Sequence, residues 1–135
     1  MNKFFVLIIV FALSFGSNNA SKLFPKNKVI IKNSLNRSDD ILTIHCISDQ
    51  DDLGIHLVRR SDLYIFKFGD NFFGGTKFDC KLSHGVGFKS SVTFTAYKED
   101  PYFYIKFGDF TFWDAREDGI YLSNEYYHEK FMYSW

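Results

Sequence analysis

Apolar and polar residues alternate with a period of two along most of the chain. Residues 76–82 (TKFDCKL) show it most cleanly: Phe78, Cys80 and Leu82 fall on one face, and Lys77, Asp79 and Lys81 on the other. Residues 41–46 (ILTIHC) set Leu42, Ile44 and Cys46 together, and residues 91–97 (SVTFTAY) alternate again. Such alternation marks a strand with one dry and one wet face, because successive side chains leave a pleated strand on opposite sides. Residues 63–68 (LYIFKF), 102–107 (YFYIKF) and 110–113 (FTFW) are dense in aromatic side chains, which suit pleated surfaces. Residues 29–32, 54–58 and 119–123 read as shorter strands. The separators are turn formers: 33–40 (NSLNRSDD), 48–53 (SDQDDL), 59–62 (RRSD), 69–75 (GDNFFGG), 83–90 (SHGVGFKS), 98–101 (KEDP) and 116–119 (REDG). No stretch of useful length carries a helical period. The pattern therefore predicts an all-β fold, a small antiparallel β-sandwich of about seven to nine short strands. The tail, residues 124–135, is ambiguous; Phe131, Tyr133 and Trp135 alternate and fit a last strand.

Residues 1–20 stand apart from this pattern. Lys3 precedes an almost wholly apolar run, residues 4–15 (FFVLIIVFALSF), and small and polar residues follow, ending at Ala20. That order matches a secretory signal peptide, and the run is shorter than the roughly 20 residues of a membrane span. Cleavage is expected after Ala20, with Ser17 as the alternative, leaving residues 21–135 as one domain. The expected product is secreted, extracellular, monomeric and not embedded in a membrane.

Composition narrows the class. Aromatic residues make up 20% of the chain and hydrophobic residues 46%, which excludes an intrinsically disordered protein. Lys+Arg and Asp+Glu both number 16. A nucleic-acid binder shows a basic excess, so no nucleic-acid partner is expected. The two cysteines, Cys46 and Cys80, both follow the signal segment. An isolated pair in an oxidising compartment is most simply one disulfide, the alternative being two free buried thiols. A bond would close a loop of about 35 residues, worth about 4 kcal/mol on the chain-entropy model. Neither a CxxC motif nor a Cys/His cluster is present, so no structural zinc is expected.

Several residues invite a chemical reading. Residues 49–52 supply three carboxylates that a hard cation would accept, but without the spacing of an EF-hand loop. A tight turn, with Asp side chains capping backbone N–H groups and Gly54 relieving strain, is favoured. His45, His56, His84 and His128 are weak candidates for a general base. His45 lies on the strand face opposite Cys46, His56 on a short strand, and His84 and His128 in loop or tail. Glu99-Asp100 and Glu117-Asp118 are adjacent in turns, whereas a glycosidase draws its carboxylates from opposite walls of a cleft. No catalytic residue, cofactor or metal is expected. Asn36-Arg37-Ser38 is an N-glycosylation sequon in a loop, so Asn36 is a candidate modification site. Tyr126, Tyr127 and Trp135 would serve as a stacking platform only if exposed together; core or scattered exposure is favoured.

The string Leu42-x-Ile44-His45-Cys46-x-Ser48-x-x-Asp51-Asp52-Leu53-Gly54-x-His56 is specific enough to compare. With Phe66-x-Phe68, Gly75-Thr76-x-Phe78-x-Cys80 and Trp113-x-x-Arg116-Glu117-Asp118-Gly119-Ile120-Tyr121-Leu122, it resembles the plant self-incompatibility protein homologues, or S-protein homologues. The resemblance spans residues 29–122 with the blocks in order. It implies a small secreted β-sandwich acting as an extracellular ligand, with pollen rejection or other reproductive signalling as its setting. It favours the turn reading of residues 49–52. Members often carry two further cysteines before and at the position two residues ahead of Trp113, where Thr111 stands here. Their joint absence implies that they bond each other and that Cys46–Cys80 is the remaining bridge. It also leaves the late strands without a second covalent tie.

Recognition is the function these readings favour, because loops on a rigid frame vary at little cost to stability. The loops expected to carry it are 83–90, where Gly85 and Gly87 flank Val86 next to Phe88, and 98–101, with Lys98, Glu99 and Asp100 before a proline. Residues 69–75 come next. The expected partner is a cell-surface receptor protein. The alternative is a secreted carbohydrate-binding or enzyme-inhibiting module.

Overall fold

The structure, a computed structural model, describes residues 27–69, 75–100, 107 and 109–135. The signal segment, most of residues 69–75 and the predicted strand at 102–107 lie wholly or largely outside the described residues. Nine strands are present among the described residues: β1 (Asn27–Asn33), β2 (Leu42–Ile47), β3 (Asp52–Val58), β4 (Leu63–Phe68), β5 (Lys77–His84), β6 (Ser90–Lys98), β7 (Phe110–Arg116), β8 (Gly119–Asn124) and β9 (Lys130–Tyr133). A single 3-10 turn, Val86–Phe88, links β5 to β6, and no α-helix occurs among the described residues. The strands form two sheets, a five-stranded one in the order β4-β1-β7-β8-β9 and a four-stranded one in the order β3-β2-β5-β6.

The fold is all-β and two-layered, as the alternation predicts, but one pairing is not antiparallel. β1 runs parallel to β7, from Lys28 opposite Phe110 to Asn33 opposite Ala115. Parallel neighbours need a long connection between them. Here that connection is the whole four-stranded sheet together with β4, and period-two patterning carries no information about direction.

The buried faces are those the sequence marks. Leu42, Ile44 and Cys46 of β2 and Phe78, Cys80 and Leu82 of β5 are buried, and they pack with Val29 and Ile31 of β1 and Trp113 and Ala115 of β7. Trp113 is fully buried against Phe94 of the opposite sheet, with ring centroids 4.6 Å apart. Its indole N–H donates to the Ala96 carbonyl at 3.0 Å, so the largest core side chain also ties the layers together by a hydrogen bond. Phe66 and Phe68 of β4 meet Phe78 of β5 at 5.0 and 4.8 Å and close the core at its other side.

Cys46 and Cys80 form a disulfide. They stand directly opposite each other on adjacent antiparallel strands, with Cα atoms 4.0 Å apart. The bond is therefore a rung within the four-stranded sheet, pointing into the core.

Register fixes which loops gather at each end. Residues 34–41, 59–62, 85–89, 117–118 and 134–135 all lie at one end, because Asn33 meets Ala115, Leu63 meets Lys32, Leu42 meets Val58, Thr43 meets Ser83 and Ile120 meets Tyr133. The β2–β3 and β8–β9 turns lie at the other, with the end of β4, the start of β5, the end of β6 and the start of β7.

Candidate recognition surface

The loop end is built outward from β1. Asn33 is fully buried, and its side-chain amide donates to the carbonyls of Asp40 at 3.0 Å and Val58 at 2.9 Å while its oxygen accepts the Leu35 N–H. One asparagine thus sets the shape of the β1–β2 loop and fastens it to the end of β3. Ser34 adds a hydrogen bond to the Asp114 carboxylate on β7. Asn36, the sequon residue, is exposed at the outside of this loop. Its N–H donates to Glu117 at 2.8 Å and its carbonyl accepts from Arg60 at 2.9 Å, which holds the backbone from two neighbouring turns.

The β5–β6 connection is the most exposed apolar feature of this end. Val86 is 90% exposed and Phe88 47%. Gly85, Gly87 and Phe88 all have positive φ, at 87°, 66° and 53°. Glycine adopts that region freely, whereas phenylalanine does so at a cost, so the tip holds a conformation the neighbouring contacts must maintain. Its internal hydrogen bond runs from Phe88 N–H to the Gly85 carbonyl at 2.9 Å. Together with the β1–β2 loop the tip encloses a cavity of about 230 Å³ lined by Arg37, Asp39, Asp40, Ile41, Gly85, Val86 and Phe88. Arg37 and Asp39 pair at its rim at 2.9 Å, and the Arg37 guanidinium holds the Asp39 carboxyl below its ordinary range.

His84 corrects its sequence assignment. It is the last residue of β5 rather than part of a loop, and it is buried. Ser83 is buried too, so the strand continues past the end of the apolar alternation. The His84 Nδ1 meets an Asp40 carboxylate oxygen at 2.9 Å, and its ring meets Trp135 edge-on at 4.3 Å. Asp40, His84 and Glu117 bring ligating atoms within 4.8 Å of one another. Asp40, Glu117 and the His84 Nδ1 are engaged in hydrogen bonds within the protein and tie the loops together, whereas the buried His84 Nε2 has no partner among the described residues.

The two favoured loops do not meet. Gly85, Val86 and Phe88 sit at the loop end just described; Lys98, Glu99 and Asp100 sit at the opposite end. Lys98 closes β6, and its ammonium pairs with Asp100 at 3.8 Å. The Glu99 N–H donates to the Thr76 carbonyl at 2.8 Å and its carboxylate accepts the Thr76 N–H at 3.3 Å. That segment is committed to holding the start of β5.

The remaining candidates also separate. At residues 48–52 the turn is capped mainly by Ser48, whose hydroxyl accepts the N–H of Gln50 and Asp51, with Asp52 accepting from Gly54. The Gly54 N–H and the His45 ring together hold the Asp52 carboxyl below its usual value. His45 faces outward and pairs with Asp52 at 2.7 Å, whereas His56 faces inward, bonds the Leu53 carbonyl and stacks on Tyr64 at 4.2 Å. The two histidines therefore leave opposite faces of the sheet and converge on no pocket. Tyr126 and Tyr127 lie at the β8–β9 turn and Trp135 at the other end, where its indole N–H bonds the Arg116 carbonyl at 2.7 Å. They form no common platform.

Comparison with known proteins places this geometry. Residues 28–135 match the family described as plant self-incompatibility protein S1. The chain belongs to that family. S-protein homolog 7 of Arabidopsis thaliana is 58% identical over 136 residues, covering 100% of each chain, and S-protein homolog 8 is 39% identical over 128 residues, covering 95% of this chain and 94% of its own. A solved structure of Self-Incompatibility Protein Homologue proteins superposes with a TM-score of 0.64 over 84% of this chain and 97% of the other, at 22% identity. That structure represents what its description calls a widespread family of small, highly stable, secreted proteins from plants. The two-layered sheet frame is thus shared with that structure.

Sequence reasoning missed Asp40, Ile41, Arg37 and Glu117 as parts of the surface. Glycines flanking an apolar residue signal an exposed tip, which is how Val86 was legible. Nothing local marks Asp40, whose partner stands 44 residues away.

Proposed function

We propose that this protein is a secreted extracellular ligand recognised by a plant cell-surface receptor, and that it acts by recognition rather than catalysis. The observation that carries the reading is the β5–β6 tip: two apolar side chains exposed on a fixed backbone beside a mostly apolar cavity, at the end where the loops converge. Contiguous exposed apolar surface is where partners bind, and a preorganised backbone lowers the ordering cost of that binding. Family membership supports the reading, as do the signal-like residues 1–20 and the description of the structural relative as secreted. The setting is pollen rejection or another reproductive or developmental signal. Asn36 carries an N-linked glycan in this scheme, projecting from the loop end beside Glu117 and next to the cavity rim.

Proximity labelling of intact plant tissue with purified, oxidised residues 21–135 tests the proposal. Reproducible recovery of one membrane protein is the expected result. Capture of cell-wall glycans alone would support the carbohydrate-binding alternative instead.

A further inference from the structure

We infer that Asp40 is the positioning residue of the recognition surface: one nearly buried carboxylate locks the 34–41 and 85–89 loops into a single unit. The inference deepens the receptor-ligand reading and rests on it for its biological meaning. Asp40 is anchored at both its backbone and its side chain. Its N–H donates to the Arg37 carbonyl at 3.2 Å, and its carbonyl accepts from buried Asn33 at 3.0 Å, which fixes it within the β1–β2 loop. Its two carboxylate oxygens then reach across to the other loop. One accepts the Gly85 N–H at 2.9 Å; the other meets His84 Nδ1 at 2.9 Å.

These bonds act where the backbone most needs them. Gly85 opens the run of positive φ that aims Val86 and Phe88, and the Phe88-to-Gly85 hydrogen bond inside the tip cannot fix where the tip sits relative to the rest of the molecule. The Asp40 carboxylate supplies that reference. Its side chain is 11% exposed, so the bonds to it are sheltered from competing water, and charge-assisted bonds are the stronger kind. His84 carries the lock to a third segment, since Trp135 covers its ring and bonds the Arg116 carbonyl on the other sheet. The cavity wall is formed by Ile41 on one loop and Val86 and Phe88 on the other, the two loops that the Asp40 carboxylate joins. Asp40 itself contributes little exposed surface, so its effect on a partner is exerted through the tip.

The test is amide hydrogen exchange by NMR on the oxidised mature protein, comparing wild type with Asp40→Ala and, as a milder second variant, His84→Gln. The lock predicts that the Gly85 amide exchanges about tenfold faster or more in Asp40→Ala, the effect of losing a charge-assisted bond, with shifted resonances for Val86, Gly87 and Phe88. Core amides of β2 and β5 should keep their protection. If Asp40→Ala does not fold, His84→Gln should still perturb the tip with an intact core. Unchanged Gly85 exchange, or equal acceleration in the core, would overturn the inference. Cell binding adds a separate arm: Asp40→Ala should weaken it with every exposed tip residue intact. Failure of the wild type to bind cells would count against the receptor reading, while the exchange result still decides the lock.

Discussion

At the scale of single residues, three buried polar atoms have no partner among the described residues: Thr43 Oγ1, His84 Nε2 and Thr111 Oγ1. Thr111 is fully buried on β7, two residues before Trp113, and its hydroxyl has no partner among the described residues. The family resemblance places a cysteine sulfur at this position, which tolerates an apolar site better than a hydroxyl does. Thr111→Val should therefore raise stability by about 1 kcal/mol, read from urea unfolding; a loss of that size would mean the hydroxyl is bonded after all. Glu129 gives a pH prediction. Arg116 bonds it at 2.7 Å and lowers its carboxyl from the ordinary range. A carboxyl lowered on folding stabilises the protein above its unfolded value of about 4.3 and loses that contribution as pH falls through the lower folded value. Glu129→Gln should flatten the acid-side fall of the urea midpoint below about pH 4.3 at low salt, where the exposed pair is least screened. An unchanged slope would remove Glu129 from the acid response.

At the scale of elements, β9 depends on the turn before β8. Gly119 has φ 153°, and a Cβ there would lie 2.1 Å from the Tyr133 carbonyl oxygen and 2.7 Å from the Phe131 ring. Backbone cannot yield as a flexible side chain can, so Gly119→Ala should cost about 2 kcal/mol or more and release β9, visible as lost amide protection at Tyr133. Retained protection would show that β9 has room to shift. The disulfide rung between β2 and β5 sets a second expectation: Cys46→Ser with Cys80→Ser should cost about 2–5 kcal/mol in denaturant unfolding. A loss near zero would mean the sheet is already held by its packing.

The elements also show what the sequence could carry. Strand faces at 76–82 and 41–46 were legible because burial enforces period two. The β5 terminus was not: Ser83 and His84 open a run of turn formers, and although His84 continues the face of Phe78, Cys80 and Leu82, Ser83 is buried on the face that the alternation assigns to solvent. The parallel β1–β7 contact was invisible for a different reason, as direction leaves no mark on a single strand's pattern. Of the candidate surface, Val86 and Phe88 could be read from their glycines, but their neighbours across the cavity come from a loop far away in the chain. Whether 83–90 and 98–101 share an end was not legible either, because strand order decides it.

At the scale of the whole molecule, a sheet frame is held by a buried tryptophan, an aromatic core and one disulfide, and Val86 and Phe88 stand exposed at one end of it. Val86 and Phe88 are surface residues whose truncation should leave stability within about 0.5 kcal/mol. Their loss should nevertheless weaken binding about tenfold or more if they are the apolar anchors of an interface. The decisive measurement is saturation binding of the labelled, oxidised protein to intact plant cells, comparing wild type with the Val86→Ser, Phe88→Ser double variant. The account predicts saturable binding by the wild type, unaffected by free sugars, and a loss of at least about tenfold in the variant at unchanged thermal stability. Equal binding by both proteins would contradict it.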